Sequence, residues 1–276
     1  MSKIRTVAIG AVVSTATVLL LDTTTATATP DRDDPGIMSS NGVTLAGDWN
    51  GDGIDTAGYY GKAVWHLRNS NTTGGTNIEF QYGDPGEAGF PVVGDWDGDG
   101  IDTVGLVRGD TWYLSNFLGS GFADVVLRFG DPGETGFPVV GDWNEDGIDT
   151  PGLVRDNHWF LRDTNSTGGA NVDFTYGSQN ETGIPLAGDW NGNGTDSPGL
   201  VRDGTWFLRN ANSSGPANVS FTYGDPWPQH WPVTGDWDGD ETNTPGVVDF
   251  NQGPILWCLR NSNTTGIADF CFGYAV

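Results

Sequence analysis

The tripeptide Gly-Asp-Trp begins at Gly47, Gly94, Gly141, Gly188 and Gly235, a spacing of 47 residues each time. Five copies of one unit make this chain a repeat protein, in which each unit buries its apolar face only by packing on its neighbours. In the third copy the segments "FPVVGDW", "TPGLVRDN", "HWFLRD" and "ANVDFTYG" are short and rich in β-branched and aromatic residues. Clusters of Gly, Pro, Asn and Asp bound them, so each unit reads as four strands. No stretch shows helical periodicity with a cap.

In "TWFLR" at 205–209, Trp206 and Leu208 point to one side and Phe207 to the other. A strand apolar on both faces belongs to a sheet covered on both faces, as a propeller blade is. Links such as "RDGT" suit tight antiparallel turns, and "GDPGETGFP" is long enough to cross a blade about 15 Å wide at ~4.8 Å per strand. The expected fold is all-β, a five-bladed β-propeller of four-stranded repeats over residues 43–276. The chain enters on a first strand and ends on a fourth, so the ring should close by packing between whole blades.

Residues 1–28 read as a signal peptide. Lys3 and Arg5 precede the apolar run "VAIGAVVSTATVLLL", too short for the ~20 residues of a bilayer span, and "ATA" offers a cleavage site. Residues 29–42 read as a disordered linker. A secreted, extracellular monomer without membrane insertion is expected. The formal net charge of −24 repels phosphate backbones and argues against nucleic acid, leaving cations as the natural counterpart. Cys258 and Cys271 are the two cysteines. In an exported chain they are expected to pair across strands three and four of the last blade. The positions taken as equivalent in earlier blades are His66 with Gln81, Tyr113 with Arg128, Phe160 with Thr175, and Phe207 with Thr222.

Each Gly-Asp-Trp opens an acidic loop. The second reads Asp95, Asp97, Asp99 and Asp102, with Gly100 at the turn. Alternating oxygen donors on a tight loop, closed by a later carboxylate, suit calcium, which accepts six to eight oxygens. The other sets are Asp48, Asn50, Asp52, Asp55; Asp142, Asn144, Asp146, Asp149; Asp189, Asn191, Asn193, Asp196; and Asp236, Asp238, Asp240, Asn243. Affinity should fall in the fourth loop, which has two carboxylates, and in the fifth, where Glu241 replaces the turn glycine. The competing reading is turn chemistry alone, with the first Asp capping its own backbone. Catalysis by these acids fits worse, because a glycosidase needs one pair in unlike environments, not five similar sets.

With these loops the chain resembles the FG-GAP and VCBS repeats of integrin-like propellers, whose D-x-[DN]-x-D-G loops bind calcium. It is most similar to secreted actinobacterial proteins with tandem "GDWDGDG…WYLRNSN" units, matched here by "HLRNSNTTGG", "FLRNANSSG" and "CLRNSNTTG". The family's closing aspartate usually stands one position later, where this chain has Thr56, Thr103, Thr150, Ser197 and Thr244.

Ten tryptophans recur, after Gly-Asp and on strand three, and are read as inter-blade core rather than sugar platforms. Arg108, Arg155 and Arg202 end strand two, and Arg68, Arg162, Arg209 and Arg260 end strand three. All are expected to make ion pairs. His66 and His158, beside strand-three tryptophans, are expected to pack. The pattern breaks at "GDPWPQHWP", where Trp227 and His230 replace glycines. They are the candidate ligand-binding residues, with a packing patch as the alternative. The functional expectation is a non-enzymatic binding or adhesion module, stabilised by calcium, for an extracellular glycan or protein. The alternatives are a glycan-active hydrolase and a ligand-free surface spacer.

Overall fold

The apolar–turn rhythm of the repeat is realised as five sheets of antiparallel strands, in a computed structural model that describes residues 42–84, 89–130, 136–178, 183–225, 230–251 and 253–276. The expectations for residues 1–28 and, except for Gly42, for 29–42 lie outside these residues, as does Trp227. Blade 1 comprises Val43–Gly47, Thr56–Gly61, Val64–Leu67 and Ile78–Gln81. Blade 2 has Phe90–Gly94, Thr103–Arg108, Thr111–Leu114 and Val125–Arg128, and blade 3 has Phe137–Gly141, Thr150–Arg155, His158–Leu161 and Val172–Thr175. Blade 4 is Ile184–Gly188, Ser197–Arg202, Thr205–Leu208 and Val219–Thr222, and blade 5 is Trp231–Gly235, Thr244–Asp249, Ile255–Leu259 and Phe270–Ala275. The first strands touch one another in a closed ring, blade 5 against blade 1 included. This is the five-bladed propeller that the 47-residue period implies.

Closure runs between whole blades, with one addition. Gly74–Gly75, in the loop between the third and fourth strands of blade 1, pairs in parallel with Tyr274 and Ala275 of blade 5. Other seams use a side chain at the same place: the amides of Arg128, Thr175 and Thr222 donate to Thr167, Ser214 and Thr265 of the next blade.

The strand-three tryptophans Trp65, Trp112, Trp159, Trp206 and Trp257 are fully buried, and the five that follow Gly-Asp are nearly so. Each core spans a seam: Trp49, Trp65 and Leu67 of blade 1 pack with Val104 and Leu106 of blade 2. Losing one such ring would cost about 3–5 kcal/mol. The glycine inside the second strand is forced by this packing, because a Cβ on Gly152 would lie 2.6 Å from Val139 and 3.0 Å from Trp143.

Cys258 and Cys271 face each other across strands three and four and form a disulfide. The earlier equivalents need correction. His66 pairs with Glu79, Tyr113 with Val126, Phe160 with Asp173 and Phe207 with Ser220. The register is the same in every blade, and the expected partners lie two residues too far along. The strand-three arginines also differ from expectation. The Arg162 guanidinium donates to the Ser166, Thr167 and Gly169 carbonyls of its own loop, and Arg209 and Arg260 do likewise in theirs. Arg68 donates to the Ser70 and Gly75 carbonyls. A short polar loop leaves carbonyls that a planar five-donor group satisfies at once, so these arginines organise turns. Blade 2 lacks the device. Ser115 takes the arginine's place, and its loop exposes Phe117 and Phe122.

Candidate functional site

The acidic loops and the loops between strands three and four share one rim. Asn165 donates to the Asp149 carbonyl of its own blade and to the Trp96 carbonyl of the preceding one, and Asn212 and Asn263 repeat this. The turns between strands two and three meet the ends of the fourth strands on the other rim, as in the bond from the Tyr223 amide to the Gly204 carbonyl.

Within each acidic loop the first aspartate turns back on its own backbone. Asp48 Oδ1 accepts from the amides of Asn50, Gly51 and Asp52, and its Oδ2 accepts from Gly53 at 2.6 Å. Asp95, Asp142, Asp189 and Asp236 do the same in their loops. The third residue of each set, Asp52, Asp99, Asp146, Asn193 or Asp240, caps the amide two positions on. Turn chemistry therefore operates in all five loops.

Two loops hold more. Asp95, Asp97 and Asp99 each bring a carboxylate oxygen within 4.8 Å of the others, and so do Asp236, Asp238 and Asp240. In blades 1 and 3 the second member is an asparagine whose amide donates to the third, Asn50 to Asp52 and Asn144 to Asp146, both at 3.0 Å. Where that asparagine becomes Asp97 or Asp238, the donor is replaced by a like charge. Desolvation and then the neighbouring carboxylates push both of these acids upward in pKa. The fifth loop, expected to be weakened by Glu241, gathers its trio as the second does. Glu241 takes the left-handed backbone (φ 65°) that Gly100 takes in blade 2 (φ 83°). In blade 4, Asp189 stands with Asn191 and Asn193.

The fourth member of each set sits elsewhere. Asp102 Oδ2 accepts the Asp48 amide of blade 1 at 2.8 Å, and Asp149, Asp196 and Asn243 accept those of Asp95, Asp142 and Asp189. Asp55 closes the circle by accepting from Asp236 of blade 5 at 2.8 Å. Each link is returned by a backbone bond, such as Asp102 N–H to the Asp48 carbonyl at 2.8 Å. Enclosure raises these acids: Asp102 and Asp196 are pushed up to about 7, and Asp55 and Asp149 also rise well above the carboxylate range. Burial is the first cause, and repulsion from neighbouring aspartates adds to it.

The ring also accounts for the glycine of Gly-Asp-Trp. A Cβ on Gly47 would lie 2.9 Å from Asp102 Oδ2, and one on Gly141 would lie 2.6 Å from Asp196 Oδ2. Thr56, Thr103, Thr150, Ser197 and Thr244 are buried and direct their hydroxyls to the carbonyls of these glycines and their equivalents.

On the opposite rim His230 Nδ1 accepts the Asp225 amide at 3.0 Å. With Asp203, Asp225 and Tyr223 it lines a cleft between blades 4 and 5. His66 lies 3.2 Å from Glu79, and His158 stacks on Phe160 at 4.3 Å and meets Asp173. These two histidines pack along the outer strands.

No family model and no curated protein matches this chain. Solved structures do. A lectin of Agrocybe aegerita described as recognising non-reducing terminal N-acetylglucosamine aligns at 16% identity and TM-score 0.44, over 83% of this chain and 66% of the lectin. The Photorhabdus luminescens Tc holotoxin pore aligns at 17% and 0.45, over 82% of this chain and only 11% of its own. BBS1N, in complex with ARL6DN, aligns at 11% and 0.39, over 84% and 83% of the two chains.

Proposed function

We propose that this chain is a secreted, non-enzymatic propeller that binds an extracellular glycan or protein, with calcium bracing its acidic rim. Repetition carries the reading. The same loop, capped by its own first aspartate and tied to the next blade, occurs in every blade, an arrangement that builds equivalent surfaces. Several weak equivalent sites gain avidity against a multivalent ligand, whereas one catalytic centre gains nothing from being repeated. The Cys258–Cys271 disulfide fits an oxidising compartment. For calcium the donor sets favoured are Asp95, Asp97 and Asp99, and Asp236, Asp238 and Asp240, whose crowded carboxylates a divalent ion would neutralise. Glycan-array binding of the mature protein, in calcium and in EDTA, tests the binding half. Calcium-dependent retention on a defined glycan group supports it. Turnover of a glycan without stable retention would favour the hydrolase alternative.

A further inference from the structure

Asparagine followed by glycine is the pair in which a backbone nitrogen most readily attacks the preceding side chain, because no Cβ shields the glycine amide. Three such pairs lie in the acidic loops, Asn50–Gly51, Asn191–Gly192 and Asn193–Gly194, and every one of these residues is exposed. Exposure therefore does not separate them, but hydrogen bonding does.

In blade 1 the Gly51 amide donates to Asp48 Oδ1 at 2.7 Å, and the Asn50 side chain is held by its donation to Asp52 at 3.0 Å. In blade 4 the Gly194 amide donates to Asp189 Oδ2 at 2.6 Å, and Asn193 Oδ1 accepts the Thr195 amide at 3.1 Å. In both pairs the attacking nitrogen and the side chain it would attack are tied down. The pair Asn191–Gly192 is not. The Gly51, Gly98 and Gly239 amides each donate to the first aspartate of their loop, yet among the described residues the equivalent Gly192 amide has no acceptor. Asn191 is anchored through its own amide, on Asp189 at 3.2 Å, and among the described residues its side chain has no hydrogen-bond partner. The cover differs as well. A Cβ on Gly51, Gly98 or Gly239 would meet Ile101, Ile148 or Ile54 of the next blade, whereas one on Gly192 would meet Thr242 Oγ1 at 3.2 Å. A hydroxyl stands there in place of an apolar shield.

We propose that Asn191 is a site of spontaneous covalent modification, deamidated by its own backbone. The Gly192 nitrogen attacks Asn191 Cγ, a C–N bond forms as the Cγ–Nδ2 bond breaks, and ammonia leaves with the proton of the glycine amide. Water then opens the five-membered imide at either carbonyl, giving aspartate or its isomer linked through the side chain. The loop gains a negative charge. In the aspartate product a carboxylate stands where blades 2 and 5 have Asp97 and Asp238. The reaction consumes water alone, so it goes beyond the function proposed above and depends on neither calcium nor a glycan.

Ageing the full chain in calcium-free, mildly alkaline buffer tests it, with peptide mapping by fragment ions that separate Asn191 from Asn193. In the folded protein Asn191 should convert about tenfold faster than Asn50 or Asn193, the factor expected when a charge-assisted hydrogen bond must first break. In urea the three pairs should convert at similar rates, because the held amides are released. Asn41–Gly42, whose asparagine lies outside the described residues, is read separately by its own fragment ions. Conversion of Asn50 or Asn193 as fast as that of Asn191 in the folded chain would overturn the proposal. So would an unreactive Asn191 in folded protein whose unfolded form reacts, or a preference for Asn191 that persists unchanged in urea.

Discussion

The carboxylate of Asp102 in blade 2 accepts the backbone amide of Asp48 in blade 1 at 2.8 Å, and the Asp48 carbonyl accepts the Asp102 amide in return. Repeated around the ring, this pair ties each acidic loop to the next blade. One link uses Asn243 in place of an aspartate, accepting the Asp189 amide at 2.7 Å. An amide oxygen therefore serves as well as a carboxylate. Asp102→Asn should keep the bond and remove a charge from an enclosed, repelling set, raising stability at pH 7.5 in EDTA by about 1–2 kcal/mol. Denaturant unfolding checks this. A loss of stability would mean that the charge itself is needed in the link.

The same ring sets a pH dependence. Asp102 and Asp196 are raised to about 7, and Asp55 and Asp149 are raised as well, while in the unfolded chain such groups titrate near 4. The folded state thus holds protons that the unfolded state has released. The stability this contributes is complete below about pH 4 and is lost as pH rises through about 7. In EDTA the melting temperature should be higher at pH 5 than at pH 7.5. The difference should shrink in Asp102→Asn with Asp196→Asn.

How far the sequence alone reaches is clear from the three letters of Gly-Asp-Trp. The period, the four strands per unit and the burial of the tryptophan were legible, because spacing and residue type determine them locally. The role of Asp102 was not. It sits a few residues from Asp99, which invites a single-loop ligand set, yet its carboxylate belongs to the neighbouring blade, and no local pattern reports a contact between residues 54 positions apart. The role of the glycine was hidden for the same reason, because it leaves room for that carboxylate. For Arg162 the signal was present in the recurring Arg-x-x-x-Ser/Thr spacing of the loops, but the acidic composition drew attention to ion pairs.

The disulfide joins two strands of the blade that ends the ring, with 13 residues of sequence separation. Cys258→Ser with Cys271→Ser should lower stability by about 2–3 kcal/mol while leaving the far-ultraviolet spectrum of the folded protein unchanged. A change below 0.5 kcal/mol, by the entropy of a loop this size, would show that the strand pair is held by its other contacts.

Arg162→Ala removes the donor that gathers the Ser166, Thr167 and Gly169 carbonyls. Those groups are exposed and can turn to water, so the expected loss is about 1 kcal/mol, far less than for Trp159→Ala in the core, about 3–5 kcal/mol. Equal losses would make the loop as important to the blade as its buried ring.

Calcium at the acidic rim is the claim on which the functional account turns, and calorimetric titration of calcium into EDTA-treated, dialysed protein measures it directly. The predicted result is two sites per chain, with one lost in Asp97→Asn and the other in Asp238→Asn, while Asp189→Asn leaves both in place. No saturable calcium uptake, or two sites unaffected by Asp97→Asn with Asp238→Asn, would contradict the account and leave the five acidic loops as turns alone.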